Sequence, residues 1–203
     1  MSKVKICGLR RPEDIEAVNR ALPDYVGFVF AAGSRRHITE ETAAGLKAIL
    51  HPTIQAAGVF VNQDIDWISS LCAKGVIDLV QLHGEEDDGY LARLRARCGC
   101  PVIRSVAVGA ALPSPLPQGA DYLLFDTASA QRGGAGQTFD WRLLQAAHQT
   151  PYFLAGGLAP ENLTQVLCLL SPFCVDVSSG VETGGWKDPE KINQFVNLVR
   201  RNT

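Results

Sequence analysis

The sequence predicts an α/β fold, a (βα)8 TIM barrel formed as one domain over residues 1–203, and three observations carry that reading. Eight short β-branched or aromatic runs recur at even spacing, most are followed by helix-start signals, and glycine-rich segments follow the last two runs. Such alternation means parallel strands joined by crossover helices. An open, doubly wound sheet is the competing architecture, but eight evenly spaced units in 203 residues favour closure.

The candidate strands are Val4–Cys7, Tyr25–Phe30, Ala56–Val61, Asp78–His83, Val102–Val108, Tyr122–Asp126, Tyr152–Ala155 and Cys174–Ser178. Helix starts are marked by Pro12 with Glu13 and Asp14, by Thr39 before Glu40 and Glu41, by Asp64, by Pro160 with Glu161, and by Pro189 with Glu190. Proline is pre-organised for the first helical position, and acidic residues favour the positive helix N-terminus. One unit is irregular. Pro113, Pro115 and Pro117 stand at alternate positions between the fifth and sixth strands. Such a run forbids a regular helix, so the fifth helix is missing or vestigial. No composition shift marks a linker, since strands continue at the same spacing on both sides.

Composition narrows the function class. Apolar residues at 46% and charged residues at 20% are ordinary for a globular chain and unlike disordered or coiled-coil sequences. A net charge of −2 gives no basic field, which argues against nucleic acid or an anionic membrane as the main partner. Arg35-Arg36-His37 is the one compact basic cluster and, taken alone, reads as a solvated loop. No stretch approaches the ~20 apolar residues of a spanning helix. The chain runs from Met1 to Gly8 without a secretory segment, so a complete, cytoplasmic protein is expected. Its six cysteines, Cys7, Cys72, Cys98, Cys100, Cys168 and Cys174, contain no C-x-x-C pair. They read mostly as small buried hydrophobes, with no metal site.

Strand parity then selects the inward-facing side chains, because successive residues point to opposite faces. Lys5 and Cys7, Gln81 and His83, Leu124 and Asp126, and Asp176 and Ser178 fall on the interior face, because their partners on each strand are the apolar ones. The latest in each strand, Cys7, His83, Asp126 and Ser178, stand at the C-terminal mouth, where such barrels place chemistry. The segments Ala155-Gly156-Gly157 and Ser178-Ser179-Gly180 follow the seventh and eighth strands, the recurrent phosphate position of the fold. Backbone groups of Gly156, Gly157, Ser179 and Gly180 are therefore the candidate phosphate cradle. Cys7 is the candidate base and Asp126 the candidate acid. An inert core thiol and a helix-capping carboxylate are the plainer alternatives.

Several blocks in fixed order resemble phosphoribosylanthranilate isomerase. They are Lys5-Ile6-Cys7-Gly8-Leu9, Gly27-Phe28-Val29-Phe30 with Ser34-Arg35-Arg36, Gly58-Val59-Phe60-Val61-Asn62, Val80-Gln81-Leu82-His83-Gly84-Glu85, Phe139-Asp140-Trp141, and Asp176-Val177-Ser178-Ser179-Gly180-Val181-Glu182 with Lys187-Asp188. The resemblance implies an isomerase of tryptophan biosynthesis that performs an Amadori rearrangement of N-(5-phosphoribosyl)anthranilate, with no metal or organic cofactor. It implies that Asp126 protonates the ribose ring oxygen, that Cys7 removes the C2′ proton, and that Arg36 faces the anthranilate carboxylate. His83 is either a substrate contact or a hydrogen-bonded wall residue. The implied partner is a phosphorylated small molecule, bound by a monomer or homodimer.

Two departures stand out. Gly133-Gly134-Ala135-Gly136 lacks the family's hydroxyl after the sixth strand, and Thr183-Gly184-Gly185-Trp186 replaces a stretch that commonly includes Pro-Gly, which predicts a more mobile loop. Another phosphate-binding barrel, such as the histidine-pathway isomerase or the indole-forming synthase, remains the nearest rival. The first needs a pair of aspartates and the second a lysine with glutamates, neither of which the strand ends supply. A non-catalytic barrel binding a phosphorylated ligand is the alternative of a different class.

Overall fold

The computed structural model describes residues 2–128, 139–146 and 151–202. Eight parallel strands close into a barrel in sequence order: β1 (Lys3–Cys7), β2 (Tyr25–Val29), β3 (Gln55–Phe60), β4 (Leu79–Leu82), β5 (Val102–Val108), β6 (Tyr122–Thr127), β7 (Tyr152–Leu154) and β8 (Cys174–Val177). Closure runs through the β1–β8 pairing, which sets Lys5 beside Asp176 and Ile6 beside Val177. The open doubly wound sheet is thereby excluded.

Among the described residues six α-helices surround the strands: α1 (Pro12–Ala21), α2 (Glu40–Ala48), α3 (Ile65–Ala73), α4 (Asp88–Arg95), α5 (Pro160–Leu169) and α6 (Pro189–Asn202). Local chemistry explains their starts. Thr39, Asp64 and Asp87 each accept a hydrogen bond from the backbone N–H three residues on, satisfying one of the orphan donors of the first turn. α6 buries Ile192, Phe195, Val196 and Val199 on one stripe, at roughly 1.5–3 kcal/mol per large apolar side chain. Between β5 and β6 the chain forms no helix, as the alternate prolines predict. Between β6 and β7 the described residues contribute a 3-10 turn, Trp141–Ala146.

The layers follow strand parity. Val4, Ile6, Val80, Leu82, Leu123, Phe125, Val175 and Val177 join the apolar layer under the helices. Tyr25, Ala57, Leu79, Ile103, Leu124, Phe153 and Cys174 form a second cluster inside the barrel. At its N-terminal end Phe153 packs on Tyr25 and Tyr122, with ring centroids 5.6 and 5.4 Å apart, and Phe173 stacks on Tyr122 at 4.8 Å.

The segment expected to be a mobile loop is instead a two-stranded antiparallel hairpin, β9 (Glu182–Thr183) and β10 (Trp186–Lys187). Gly184 and Gly185 supply positive φ angles of 59° and 81°, which a two-residue hairpin turn of matching twist requires. Arg10 donates to the Gly185 carbonyl at 2.6 Å, and the Arg10 and Arg11 guanidiniums lie 4.1 and 4.2 Å from the centre of the Trp186 ring. Gly133–Gly136 lie outside the described residues.

Candidate active site

The barrel's C-terminal mouth gathers side chains from strands far apart in sequence. Its floor is a buried ion pair, Lys5 Nζ to Asp176 Oδ2 at 2.8 Å, with Lys5 fully enclosed. Burial works against the Lys5 ammonium, yet Asp176 and Cys7 together more than offset it and hold its pKa above the ordinary value. Burial pushes Asp176 up, with Lys5 pulling the other way. Lys5 is charged, because its ammonium faces both Asp176 and Cys7.

Cys7 ends β1 and lies half-buried above that floor. Gly27, its register partner on β2, makes room: a Cβ there would come within 2.6 Å of the Cys7 sulfur. Burial holds the thiol above its ordinary value, with the Asp176 carboxylate adding to this, and the Lys5 and Lys187 ammoniums pull the other way without cancelling it. Lys187 is itself buried, donating to the Ser178 carbonyl at 2.8 Å and to Glu182 Oε1 at 2.9 Å. Ser178 Oγ donates to the Cys7 carbonyl at 3.0 Å, tying the ends of β8 and β1 together.

Asp126, near the end of β6, has 19% of its side chain exposed. Burial raises its pKa, against the Thr127 N–H that donates to Oδ1 at 2.8 Å and the more distant Lys5 charge. His83 Nε2 lies 3.5 Å from Asp126 Oδ2, and His83 Nδ1 meets Ser105 Oγ at 2.6 Å and Gln81 Nε2 at 3.2 Å. Gln81 and Ser105 thus fix the ring and aim its other nitrogen at the carboxyl group. His83 thus has a hydrogen-bonded place in the mouth wall, one of the two roles expected of it.

Arg36 is buried, not a solvated loop residue, and it forks onto Glu182, Nε to Oε1 at 2.7 Å and an Nη to Oε2 at 3.0 Å. Arg35 also reaches Glu182 at 2.8 Å. Three cations, Arg35, Arg36 and Lys187, therefore share one carboxylate, and their charge exceeds it by two. Glu182 is held below the usual carboxylate range by Arg36 and Lys187, although burial opposes this.

Gly156 and Gly157 follow β7 in the left-handed region, and Asn162 braces the turn by donating to the Gly157 carbonyl at 2.9 Å. Ser179 and Gly180 form a 3-10 turn after β8. The two segments touch: any Cβ on Gly180 would collide with the Leu158 carbonyl oxygen. The four residues expected to form the phosphate cradle are thus brought close together in space.

Sequence reasoning set Lys5 and Asp176 on the interior face without giving them a part, and left Glu182 and Lys187 inside a matching block. The signal for Lys5 was available, since a lysine two residues before Cys7 on an inward face must find a counter-charge. Its partner, 171 positions away, was not legible.

Comparison with known proteins agrees with this arrangement. The pattern of the N-(5'phosphoribosyl)anthranilate (PRA) isomerase family matches residues 4–198. The N-(5'-phosphoribosyl)anthranilate isomerase of Endomicrobium trichonymphae is 50% identical over 201 residues, covering 98% of this chain and 99% of that one. Among solved structures, the phosphoribosyl anthranilate isomerase of Thermus thermophilus aligns with a TM-score of 0.85 at 33% identity, covering 99% of this chain and 100% of that one. A phosphoribosyl anthranilate isomerase in complex with reduced 1-(o-carboxyphenylamino)-1-deoxyribulose 5-phosphate aligns with a TM-score of 0.82 at 32% identity, over 99% and 100% of the two chains.

Proposed function

The chain belongs to the N-(5'-phosphoribosyl)anthranilate isomerase family, and from that premise we propose how its own residues carry the reaction. It is an isomerase of tryptophan biosynthesis that converts N-(5-phosphoribosyl)anthranilate to 1-(2-carboxyphenylamino)-1-deoxyribulose 5-phosphate by an Amadori rearrangement. Residues 1–203 act as one catalytic barrel domain. The observation that carries the residue assignment is the opposed pair at the mouth. A carboxyl group raised by burial and a thiol faced by two ammoniums share one opening.

Asp126, kept protonated to higher pH than an ordinary carboxyl group, donates its proton to the ribose ring oxygen and opens the ring to a Schiff base. Cys7, as thiolate, removes the C2′ proton to give an enolamine, which tautomerises to the ketone. Lys5 and Lys187 stabilise the thiolate, and His83 positions Asp126. Arg36, anchored by Glu182, presents positive charge to the anthranilate carboxylate. Backbone N–H groups of Gly156, Gly157, Ser179 and Gly180 hold the phosphate. All of these residues come from a single barrel, so a monomer or either half of a homodimer carries a whole site. The six free thiols suit the reducing cytoplasm, where we place the enzyme.

Loss of phosphoribosylanthranilate fluorescence on adding the purified protein tests the activity, and a phosphate-binding barrel without catalysis would leave the signal's decay unchanged. The pH dependence tests the pair. The reactive form has Asp126 protonated and Cys7 ionised. As pH falls through the Asp126 range no further acid is gained while thiolate is lost, so kcat drops there. The acid limb should therefore lie above the ordinary carboxylate value. A limb at that ordinary value would count against the assignment.

A further inference from the structure

On the opposite end of the barrel from Cys7, three cysteines that sequence spacing keeps apart converge. Cys72 lies in the last turn of α3, while Cys98 and Cys100 lie in the segment leading from α4 into β5. Their three sulfurs all fall within 4.8 Å of one another, and the Cys72 and Cys98 sulfurs approach to 3.0 Å. We infer that Cys72, Cys98 and Cys100 form a three-thiolate site for a soft divalent d10 cation, Zn2+ or Cd2+, unconnected with the isomerase chemistry.

The geometry fits that class of ion. Zn–S bonds near 2.3 Å in a tetrahedron put sulfurs about 3.8 Å apart. That spacing falls between the closest observed pair and the outer bound of the cluster. Cys98 and Cys100, two residues apart across Gly99, turn their sulfurs to the same side. The Cys100 backbone N–H donates to the Cys98 sulfur at 3.4 Å, the kind of outer contact that orients a ligating thiolate. Cys98 is buried while Cys72 and Cys100 are only partly covered, so the cluster is anchored from below and open to an entering ion.

Binding balances as three thiols plus one dication giving a metal trithiolate of charge −1 and three protons released to solvent, with no change of oxidation state. A water completes the fourth position. Thiolate ligands select soft and borderline ions over Mg2+ or Ca2+.

The experiment uses the whole protein, reduced with a phosphine and free of metal. Cd2+ titration should raise a sulfur-to-metal charge-transfer band that saturates at one equivalent per chain. Alkylation mapped by mass spectrometry should show Cys72, Cys98 and Cys100 protected in the loaded protein, with Cys168 still reactive. Cys100→Ser and Cys72→Ser should each lose the saturating band, whereas Cys168→Ser should keep it. Isomerase turnover, far from the cluster, reports that each variant is folded. If a serine variant fails to fold, the protection pattern of the unaltered chain decides alone. A band that survives both serine variants, titration without saturation, or protection centred on Cys7 would overturn the site. So would a chain that closes a Cys72–Cys98 disulfide with peroxide yet, when reduced, shows no Cd2+ band.

Discussion

The two ends of the barrel solve opposite problems with the same eight strands. At the N-terminal end Tyr25, Tyr122, Phe153 and Phe173 interlock as an aromatic plug, and the Lys3 ammonium lies 5.2 Å from the Tyr25 and Phe173 ring centres. At the C-terminal end Lys5, Arg36, Asp176 and Lys187 are all buried and charged, a costly arrangement in a protein interior. The rings of the plug supply stability through area removed from water. The mouth gives up some of that stability to hold the Lys5 and Lys187 charges that oppose the effect of burial on Cys7. A change at one end should therefore move a different observable from a change at the other.

The largest effect belongs to the mouth. Cys7→Ser and Asp126→Asn should each lower kcat by about 10²–10⁴-fold, the usual worth of a positioned acid or base, with unfolding midpoints close to that of the unaltered chain. Near-normal turnover in either variant would refute its role. Phe153→Ala at the plug should do the reverse, costing roughly 3–5 kcal/mol in denaturant unfolding while kcat per folded molecule stays put. If that variant lost turnover without losing stability, the division of labour between the ends would be wrong.

Arg36→Ala should weaken substrate binding by an amount typical of a charge-assisted hydrogen bond, about 1.5–3 kcal/mol, read as a raised KM with a smaller change in kcat. An unchanged KM would remove Arg36 from the anthranilate site and leave it as an anchor for Glu182. The smallest effect is expected for Lys3→Met. A partly exposed cation over aromatic rings contributes on the order of 0.5–1 kcal/mol, visible as a slight fall in unfolding midpoint and no kinetic change. A kinetic effect there would mean that the two ends communicate.

Much of the fold was legible because strand signals are local. All eight expected strands occur with ends shifted by a residue or so, as β1 beginning at Lys3 and β4 ending at Leu82 illustrate. The missing fifth helix was read correctly from Pro113, Pro115 and Pro117. The start of α4 was not among the helix starts singled out, although Asp87, within the acidic run 85–88, supplies an ordinary cap. Parity carried Cys7 and Asp126 to the mouth, and the covering of Leu123 and Phe125 by the helix layer agrees with it. What stayed hidden were partnerships. Arg36 was read at first as solvated because Glu182, 146 positions away, is absent from any local window. Cys72 looked inert because Cys98 lies in a different unit of the barrel.

The sequence by itself determined the number of strands, the face each side chain takes and the rim on which the polar ones gather, because these depend on the two-residue period of an extended chain and on nearest-neighbour sterics. Tertiary structure alone decided which charges meet, from Lys5 with Asp176 to the three sulfurs beneath the barrel. Electrostatic and ligand contacts act over a few ångströms in space whatever the separation along the chain, so only closure of β8 onto β1 and packing of α3 beside α4 bring their members within range.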